Sequence, residues 1–401
     1  MEQSVQVCIA GGGPAGMMLG VLLARSGVSV AVFEKHADFL RDFRGDTIHP
    51  STMQMLYELG WLNDFLKLPH QKVRTLTGVF GTKRIKFADF SHLPVKAPYI
   101  AMMPQWDFLN FLAAKGQAFP SFKLLMQTQA VDLVTDRGRV TGVRALCNGA
   151  EMVISADLVV AADGRGSTLR ACAGLVPNDY GAPMDVEWFR LPRLAADTEE
   201  TQARFDGGRI FIMLNRGDYW QCAFVIPKGR DAEIRAAGLA AFQASVAALL
   251  PIDTTRAAAI SSWDQVYLLT VKVDRLQEWA RPGLLFIGDA AHAMSPVGGV
   301  GVNLAVQDAV AAANLLTRPL RANALTFDDL KRVQARREFP TRMTQRLQLF
   351  LQNTVIAGSL AAAGPVAPPL ALRVLTAIPL LRRLPARLIG LGIRPEHIAP
   401  R

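Results

Sequence analysis

The chain has 401 residues, of which 50% are apolar and 19% are charged, the balance of a globular protein with a large core. At this length we expect two or three domains or one large interleaved unit. The net charge of +10 would suit nucleic acid, an anionic membrane surface or an anionic cofactor, but no basic stripe alternates with aromatic residues, so we expect no nucleic-acid partner.

The cysteines and the N-terminal residues indicate a cytoplasmic protein. The cysteines lack Cys-x-x-Cys spacing, so we predict neither a metal site nor a disulfide framework. The N-terminal residues lack the basic region of a signal peptide and lead directly into a predicted strand. The uncharged segment 355–372 contains three prolines, which argue against a membrane-spanning helix.

The first glycine-rich segment, GGGPAG at residues 11–16, lies between a predicted strand over residues 5–10 and a predicted helix over residues 14–25. A second predicted strand ends at Glu34, which completes a βαβ unit. Gly11 allows the tight turn, Gly13 lets the backbone approach a pyrophosphate, and Gly16 lets helix and strand pack closely. Glu34 can accept both hydroxyls of an adenosine ribose and disfavours a 2′-phosphate, which points to FAD or NAD; the alternative is a turn without a ligand.

Two further corners follow apolar runs that are typical of parallel strands covered on both faces. The second corner is DLVVAADGRGSTLR at residues 157–170, with Asp163 at the predicted strand end, where open α/β sheets bind ligands. Between the first and second corners we predict a helix over residues 109–115 and a β-rich hairpin layer over residues 140–154. Alternating patterns over residues 184–273 predict a mostly antiparallel sheet.

The third corner is FIGDAAHAMSPVGGVGVNLA at residues 286–305, and helices are predicted from Gly301 to the end. Its loop consists largely of glycines and so carries few side chains. A helix begins at Asn303, and its first N–H groups can stabilise the negative charge of a reduced isoalloxazine ring. The alternatives are a strand-ending turn at Asp163 and a helix with a glycine-rich lead-in here.

Together these motifs resemble the FAD-dependent aromatic hydroxylases, the single-component flavoprotein monooxygenases similar to p-hydroxybenzoate hydroxylase. The resemblance covers residues 5–316. It implies an α/β fold in which a Rossmann-like FAD-binding domain (GxGxxG βαβ unit, parallel sheet) is interleaved with a mostly antiparallel β-sheet substrate domain, followed by C-terminal helices. The implied limits are 1–72, 98–180 and 277–330 for the FAD-binding domain, 73–97 and 181–276 for the substrate domain, and 331–401 for the helical region.

The resemblance also implies the cofactor-binding residues. The pyrophosphate would lie at the first corner and the adenosine ribose at Glu34. Asp163 would serve both FAD and the pyridine nucleotide, Asp289 would bond a ribityl hydroxyl, and Pro296 would border the flavin C4a edge. The full implied set is Gly11, Gly13, Pro14, Ala15, Gly16, Glu34, Lys35, Arg44, Gln105, Asp163, Gly288, Asp289, Pro296, Gly299, Gly301, Val302 and Asn303.

In this family NADPH or NADH reduces FAD, O2 adds at C4a, and the C4a-hydroperoxyflavin hydroxylates a substrate, so no catalytic side chain or metal is needed. The alternative is a reductase or dehydrogenase on the same fold without oxygen insertion. Flavin halogenases are disfavoured because W-x-W-x-I-P is absent, and a carrier like the GDP-dissociation inhibitors is disfavoured by Asp289. The resemblance allows a monomer or a homodimer.

The substrate residues follow less directly. The stretch that corresponds to the benzoate-binding side chains offers only Arg216 and Tyr219, which do not match their pattern. We therefore expect an apolar phenolic or polycyclic substrate, with Met213, Trp220 or Phe224 either lining its pocket or packing in the core. For His49 and His292 a hydrogen-bonded structural role is favoured over acid–base chemistry.

The C-terminal segment 370–401 carries six arginines against Glu396, with leucine and isoleucine between them. Such a pattern is typical of an amphipathic face that makes weak peripheral contact with an anionic membrane. The alternative, which we favour, is a terminal helix pair that packs on the core with solvated arginines.

Overall fold

A computed structural model describes residues 3–40, 46–198, 200–362, 364, 367–368, 373 and 378–399. Its main elements are a largely parallel sheet, a largely antiparallel sheet and helices that cover them, so the predicted α/β class is confirmed. Arg44, which was predicted to contact FAD, lies outside the described residues, as does much of the arginine-rich C-terminal segment.

The parallel sheet is built around the first strand, Gln3–Ala10, where the sequence predicted it. This strand pairs in parallel with Val30–Phe33 on one side and with the end of Ala150–Ala161 on the other. Phe122–Leu125 and Leu284–Phe286 extend the sheet in parallel, and Ala280–Arg281 closes it as an antiparallel edge. These short strands are largely buried because helices cover one face of the sheet, while residues such as Val143 and Trp279 cover the other.

One long strand replaces the two elements that the sequence predicted between residues 151 and 162. Ala150–Ala161 first pairs antiparallel with Arg139–Cys147, which pairs in turn with Thr128–Asp136, and then continues in parallel beside Gln3–Ala10. The apolar run over its second half was read correctly, but its alternating first half belongs to the same strand. The hairpin layer is therefore an extension of the parallel sheet.

Helix Pro14–Arg25 has the predicted bounds and packs against Gly301–Arg321. Gly16 and Gly20 permit the close approach to the strands, because a Cβ at Gly20 would lie 2.5 Å from Val32 Cγ2. Among the described residues, Val297–Arg321 is the helical stretch long and apolar enough to cross a membrane, and 72% of its apolar window is buried inside the molecule, as in a core helix.

The antiparallel sheet has the order Tyr267–Leu269, Met184–Pro192, Tyr219–Pro227, Arg209–Asn215, Gln202–Asp206, Thr75–Phe80 and Lys83–Asp89. One pairing in it, between Gln202–Asp206 and Thr75–Phe80, is parallel. All these strands lie within the segments 73–97 and 181–276; the domain limits themselves stay predictions. Helices Asp231–Ala236 and Leu239–Ala247 are inserted after strand Tyr219–Pro227.

Several smaller elements complete the described fold. Short strands lie at Thr47–Ile48, Gln71–Val73, Ile100–Met102, Asn178–Asp179, Asp274–Arg275 and His292–Ala293. The remaining α-helices are Pro50–Glu58, Leu62–Phe65, Gln105–Gln117, Thr168–Cys172, Phe327–Leu351, Ala357–Ala361 and Arg383–Gly390. Tighter or wider helical turns lie at Phe90–His92, Thr254–Ala259, Trp263–Gln265, Gly288–Ala290, Val297–Gly299, Gln352–Ile356 and Pro379–Arg382. Contrary to the prediction of helix to the end, residues 391–399 are not helical.

Candidate functional site

The three glycine-bearing corners meet at one edge of the parallel sheet. Ala10 lies beside Ala161 and Ala161 beside Phe286, so the three strands end at the same level. The corners are also in contact: a Cβ on Gly11 would lie 2.3 Å from the Ala162 carbonyl oxygen, and one on Gly288 would lie 3.2 Å from the Ala15 Cβ. Glycine is required at both positions because each also has a positive φ, 109° and 58°.

The first corner forms a cradle of bare backbone. A Cβ on Gly13 would meet no described atom within 4 Å, whereas one on Gly16 would lie 2.0 Å from the Gly11 carbonyl oxygen. Helix Pro14–Arg25 begins here with Pro14 at its first position, and its first-turn N–H groups have no partners within the helix. A small anionic group therefore has both open space at Gly13 and unpaired donors, which fits a pyrophosphate.

Glu34 lies against this cradle at the end of the second strand. Its carboxylate is within 3.0 Å of the position of a Cβ on Gly12, and its Oε1 accepts a hydrogen bond of 3.0 Å from the His36 amide. The neighbouring Lys35 is exposed. The loop geometry thus places the Glu34 carboxylate at the rim of the cradle.

At the second corner, the Asp163 side chain accepts hydrogen bonds from its own loop. Its Oδ1 accepts a hydrogen bond of 2.5 Å from Ser167 Oγ and its Oδ2 one of 3.2 Å from the Leu169 amide. Burial raises the pKa of Asp163, and these hydrogen bonds oppose the rise. Arg170 then joins this corner to the third, because its Nη1 donates to the Ala290 carbonyl at 3.0 Å. In the described structure both carboxylate oxygens of Asp163 therefore accept hydrogen bonds from its own loop.

The third corner turns at Gly288–Ala290, and Asp289 is the half-buried residue of this turn. Arg165, from the second corner, reaches across and donates from Nε to Asp289 Oδ2 at 3.0 Å. Both side chains are about one-third exposed, at 33% and 31%. No feature of the sequence pointed to Arg165, since an arginine in a glycine-rich turn is usually solvated.

The loop that follows keeps its glycines for two different reasons. Gly298 and Gly299 both have positive φ, at 79° and 63°, a region that favours glycine. At Gly299 there is also no room, because a Cβ would lie 2.6 Å from Thr47 Oγ1, which donates to the Gly299 carbonyl at 2.9 Å. Pro296 caps this turn, and Gly301 and Val302 open the long helix.

Asn303 is buried at the start of that helix and forms hydrogen bonds with the segment that contains His49 and Thr52. Its Oδ1 accepts hydrogen bonds from the His49 amide at 2.9 Å and from Thr52 Oγ1 at 2.7 Å. Burial lowers the pKa of His49 to about 4, and its Nδ1 contacts the Ile389 carbonyl oxygen at 2.7 Å. A neutral, hydrogen-bonded His49 has the structural role that the sequence favoured.

A buried charge network lies directly behind the third corner. Asp308 is fully buried, and its carboxylate receives the Gly288 amide at 3.1 Å, His292 Nε2 at 2.6 Å and Arg337 Nε at 2.9 Å. Burial works against ionisation of Asp308, but His292 and Arg337 outweigh it and lower its pKa. Arg337 also lies 3.6 Å from Glu396. This network fixes the turn that carries Asp289.

A second ion pair joins the antiparallel sheet to the segment that precedes strand Thr47–Ile48. Arg216, in the turn between two antiparallel strands, pairs with Asp46 at 2.6 Å and donates from Nε to Gln221 Oε1 at 2.8 Å. Burial raises the pKa of Asp46, while Arg216 and the Gln105 amide lower it. A small cleft there is lined by Asp46, Pro104, Trp106, Arg190, Arg216, Tyr219 and Gln221. Gln105 thus contacts Asp46 through its backbone amide. The charge of Arg216 is paired with that of Asp46.

The predicted substrate residues lie on the face of the antiparallel sheet that helix Leu239–Ala247 covers. Met213, Trp220 and Phe224 are buried in a cluster with Phe242 and Val246 of helix Leu239–Ala247. The face that meets Val297 of the third corner carries instead Val186, Ile210, Ile212, Ala223 and Val225. Because side chains alternate along a strand, the neighbours Ile212 and Met213 lie on opposite faces, as do Ala223 and Phe224. For the predicted residues, the core interpretation is the one that the packing supports.

Comparisons with known proteins agree with this geometry. Residues 4–346 match the family model of the FAD binding domain. The chain is 33% identical over 89% of its length to 6-methylpretetramide 4-monooxygenase of Streptomyces rimosus, 86% of which it covers. It is 27% identical over 76% of its length to pentachlorophenol 4-monooxygenase of Sphingobium chlorophenolicum, of which it spans 56%.

A solved structure shows the same fold. The anhydrotetracycline hydroxylase OxyS of Streptomyces rimosus superposes with a TM-score of 0.74 at 21% identity, over 99% of this chain and 78% of that one. The open cradle at Gly13, the helix starts and the glycine-rich loop at Gly299 fit FAD, which the matching family model names. The chain therefore belongs to the FAD-binding-domain family of aromatic hydroxylases and is an FAD-dependent monooxygenase.

Proposed function

We propose that this monooxygenase uses O2 and NADH or NADPH to hydroxylate an apolar phenolic or polycyclic aromatic substrate. The names of the two relatives place 6-methylpretetramide and pentachlorophenol, respectively, among the compounds that those proteins oxidise. For this chain the substrate class is supported by the side chains that surround the crevice.

The observation that carries the proposal is the apolar face of the antiparallel sheet opposite the third corner. Val297, together with Ile356 and Leu360, packs against this face. Arg216 is the arginine in the stretch that corresponds to the benzoate-binding side chains, and it is ion-paired with Asp46 at 2.6 Å. A substrate carboxylate would have to break this buried pair, whereas an aromatic ring system needs only apolar contact.

The residues of the three corners would hold FAD, which supplies electron transfer and oxygen activation when it is bound. The N–H groups that open helix Pro14–Arg25 would bind the pyrophosphate, Glu34 the ribose, and Asp289 a ribityl hydroxyl. The N-terminus of helix Gly301–Arg321 would stabilise negative charge at the pyrimidine end of the ring, near Val302 and Asn303. The apolar sheet face would exclude water from the substrate.

The test is a screen of phenolic and polycyclic compounds for those that speed NADH or NADPH oxidation by the purified holoprotein, with product mass measured under 18O2. We expect a gain of one labelled oxygen atom. A reduced or dehydrogenated product without label would overturn oxygen insertion in favour of a reductase, and a preference for simple benzoates would overturn the substrate class.

Two neighbouring residues on opposite faces of one strand test where the substrate lies. Ile212→Ala, on the face that meets Val297, should raise KM for the best substrate about tenfold while FAD stays bound. Met213→Ala, on the other face, should lower the free energy of unfolding and leave KM unchanged. The reverse pattern would move the substrate to the helix-covered face.

A further inference from the structure

The described C-terminal residues expose an unusual concentration of large apolar side chains. Ile378, Leu380, Leu381 and Leu384 are 49%, 69%, 38% and 56% exposed. Single exposed leucines are ordinary on a protein surface, but several within one short segment indicate a contact surface. They lie in the turn Pro379–Arg382, just before it, and at the start of helix Arg383–Gly390.

This last helix is amphipathic, with one face committed to the protein. Ala386 and Gly390 are buried, and a Cβ on Gly390 would lie 2.8 Å from Leu93 Cδ1. Arg383, Leu384 and Arg387 are exposed. The helix therefore presents cations and a leucine to solvent on the side that does not pack.

A strand from a distant part of the sequence adds more positive charge. Strand Lys83–Asp89 contacts both the turn Pro379–Arg382 and the helix Arg383–Gly390, and it exposes Lys83 and Lys86. Its Arg84 is ion-paired with Glu200. We call the surface formed by the exposed side chains Lys83, Lys86, Ile378, Leu380, Leu381, Arg383, Leu384 and Arg387 the basic apolar patch.

We propose that the basic apolar patch binds the surface of an anionic lipid bilayer. Exposed leucines beside arginines and lysines match an interfacial helix, whose apolar side chains enter the acyl boundary while its cations meet lipid phosphates. The exposed apolar side chains of the patch are aliphatic, so it offers no aromatic platform for nucleic-acid bases. Charge and apolar exposure together select anionic lipid over a purely acidic protein.

The patch lies on the outer side of a helix whose inner side touches the candidate site. Ile389 packs against the cluster of Met294, Val300 and Leu304, and its carbonyl oxygen contacts His49. A bilayer bound at the patch would thus lie close to the loop that meets the apolar sheet face. This location suits substrates that partition into lipid, although membrane binding itself does not depend on the proposed substrate.

The experiment is vesicle flotation of the full-length holoprotein with phosphatidylcholine alone and with added phosphatidylglycerol. We expect flotation with the anionic vesicles that declines as salt is raised, because each cation near an anionic surface contributes about fivefold in affinity. Arg383→Glu/Arg387→Glu should weaken binding by about 25-fold or more. Leu380→Ser/Leu384→Ser should weaken it about tenfold or more at constant charge.

The matched control is Lys123→Glu/Arg144→Glu, which removes two exposed cations from the parallel sheet and should bind as the parent does. Bound FAD and thermal unfolding confirm that each variant is folded. Equal flotation with neutral vesicles, no flotation at low salt, or equal losses in patch and control variants would overturn the proposal. So would a patch substitution that changes only the oligomeric state, since it would assign the patch to a second copy of the chain.

Discussion

Arg165 Nε donates to Asp289 Oδ2 at 3.0 Å and so ties the second corner to the third across the crevice. The same guanidinium donates from Nη2 to the Met294 carbonyl at 3.3 Å. Because both partners are about one-third exposed, the pair should contribute less than about 1 kcal/mol to folding. Its significance lies in orienting a carboxylate that we expect to face a ribityl hydroxyl.

Asp289→Ala should therefore weaken FAD binding by about tenfold or more, the loss expected for one charge-assisted hydrogen bond. The free energy of unfolding of the apoprotein should change by less than about 1 kcal/mol. Equilibrium dialysis or flavin fluorescence measures the dissociation constant without reference to turnover.

Arg165→Ala provides the companion variant, since it leaves the Asp289 carboxylate in place but unoriented. We expect a smaller, severalfold loss of FAD affinity and partial recovery with Arg165→Lys. Unchanged FAD affinity in Asp289→Ala would contradict the placement of the flavin at this crevice.

Adjacent glycines in the third corner allow a matched pair of substitutions. Gly298→Ala and Gly299→Ala both force a side chain into a positive-φ conformation, which costs about 1–2 kcal/mol each. Only at Gly299 would the added Cβ collide with Thr47, at 2.6 Å; at Gly298 the nearest atom is Val300 Cγ1 at 3.6 Å. Gly299→Ala should thus lose more stability and more FAD affinity than Gly298→Ala, as measured by chemical unfolding and flavin titration. Equal losses of stability and FAD affinity in the two variants would mean that the positive φ, and not the contact with Thr47, determines the cost of each substitution.

Local chemistry explains what the sequence could predict. Each corner is a short continuous segment in which glycines follow an apolar run, so Gly11, Asp163 and Asp289 could be located one at a time. That the corners meet follows from parallel strands ending at one edge. The helix Pro14–Arg25 was predicted to its exact bounds because glycine precedes it, proline opens it and Ser-Gly follows it.

Pairings between distant segments could not be predicted. Asp46 and Arg216 are 170 residues apart, and neither lies in a motif. The face of strand Arg209–Asn215 that meets the crevice could not be chosen either, because Ile212 and Met213 are both apolar and both faces of this sheet are covered. Alternation fixes which residues share a face, but only tertiary packing decides which face is which.

The network behind the third corner predicts a large stability effect. Asp308→Asn removes the fully buried charge that pairs with Arg337 and contacts His292, so it should lower the free energy of unfolding by about 3–5 kcal/mol. Urea denaturation with an unchanged m-value measures this loss. The control is Glu278→Gln, which removes an exposed ion pair with Arg281 and should cost less than about 1 kcal/mol. Comparable losses in both variants would show that Asp308 does not act as a buried hub.

A buried carboxyl group in the antiparallel sheet predicts a pH dependence of stability. Glu187 is fully buried, and this burial, together with the nearby Asp231 carboxylate and against the opposing influence of Arg235, raises its pKa from 4.5 to about 8. Between these pH values the unfolded chain has lost a proton that the folded chain retains. The contribution of Glu187 to stability is therefore complete below about pH 4.5 and is lost as the pH rises through about 8.

Glu187→Gln removes the ionisation and keeps the shape of the side chain. We expect the variant to be more stable than the parent at pH 9 by more than about 2 kcal/mol, because one unit of pKa shift corresponds to about 1.4 kcal/mol. At pH 5 the two proteins should differ by less than about 1 kcal/mol, since Glu187 is then protonated in the folded state. Urea denaturation across this pH range, with Glu233→Gln as an exposed control on the adjacent helix, measures the difference. A constant difference between Glu187→Gln and the parent at all pH values would show that Glu187 does not titrate in this range.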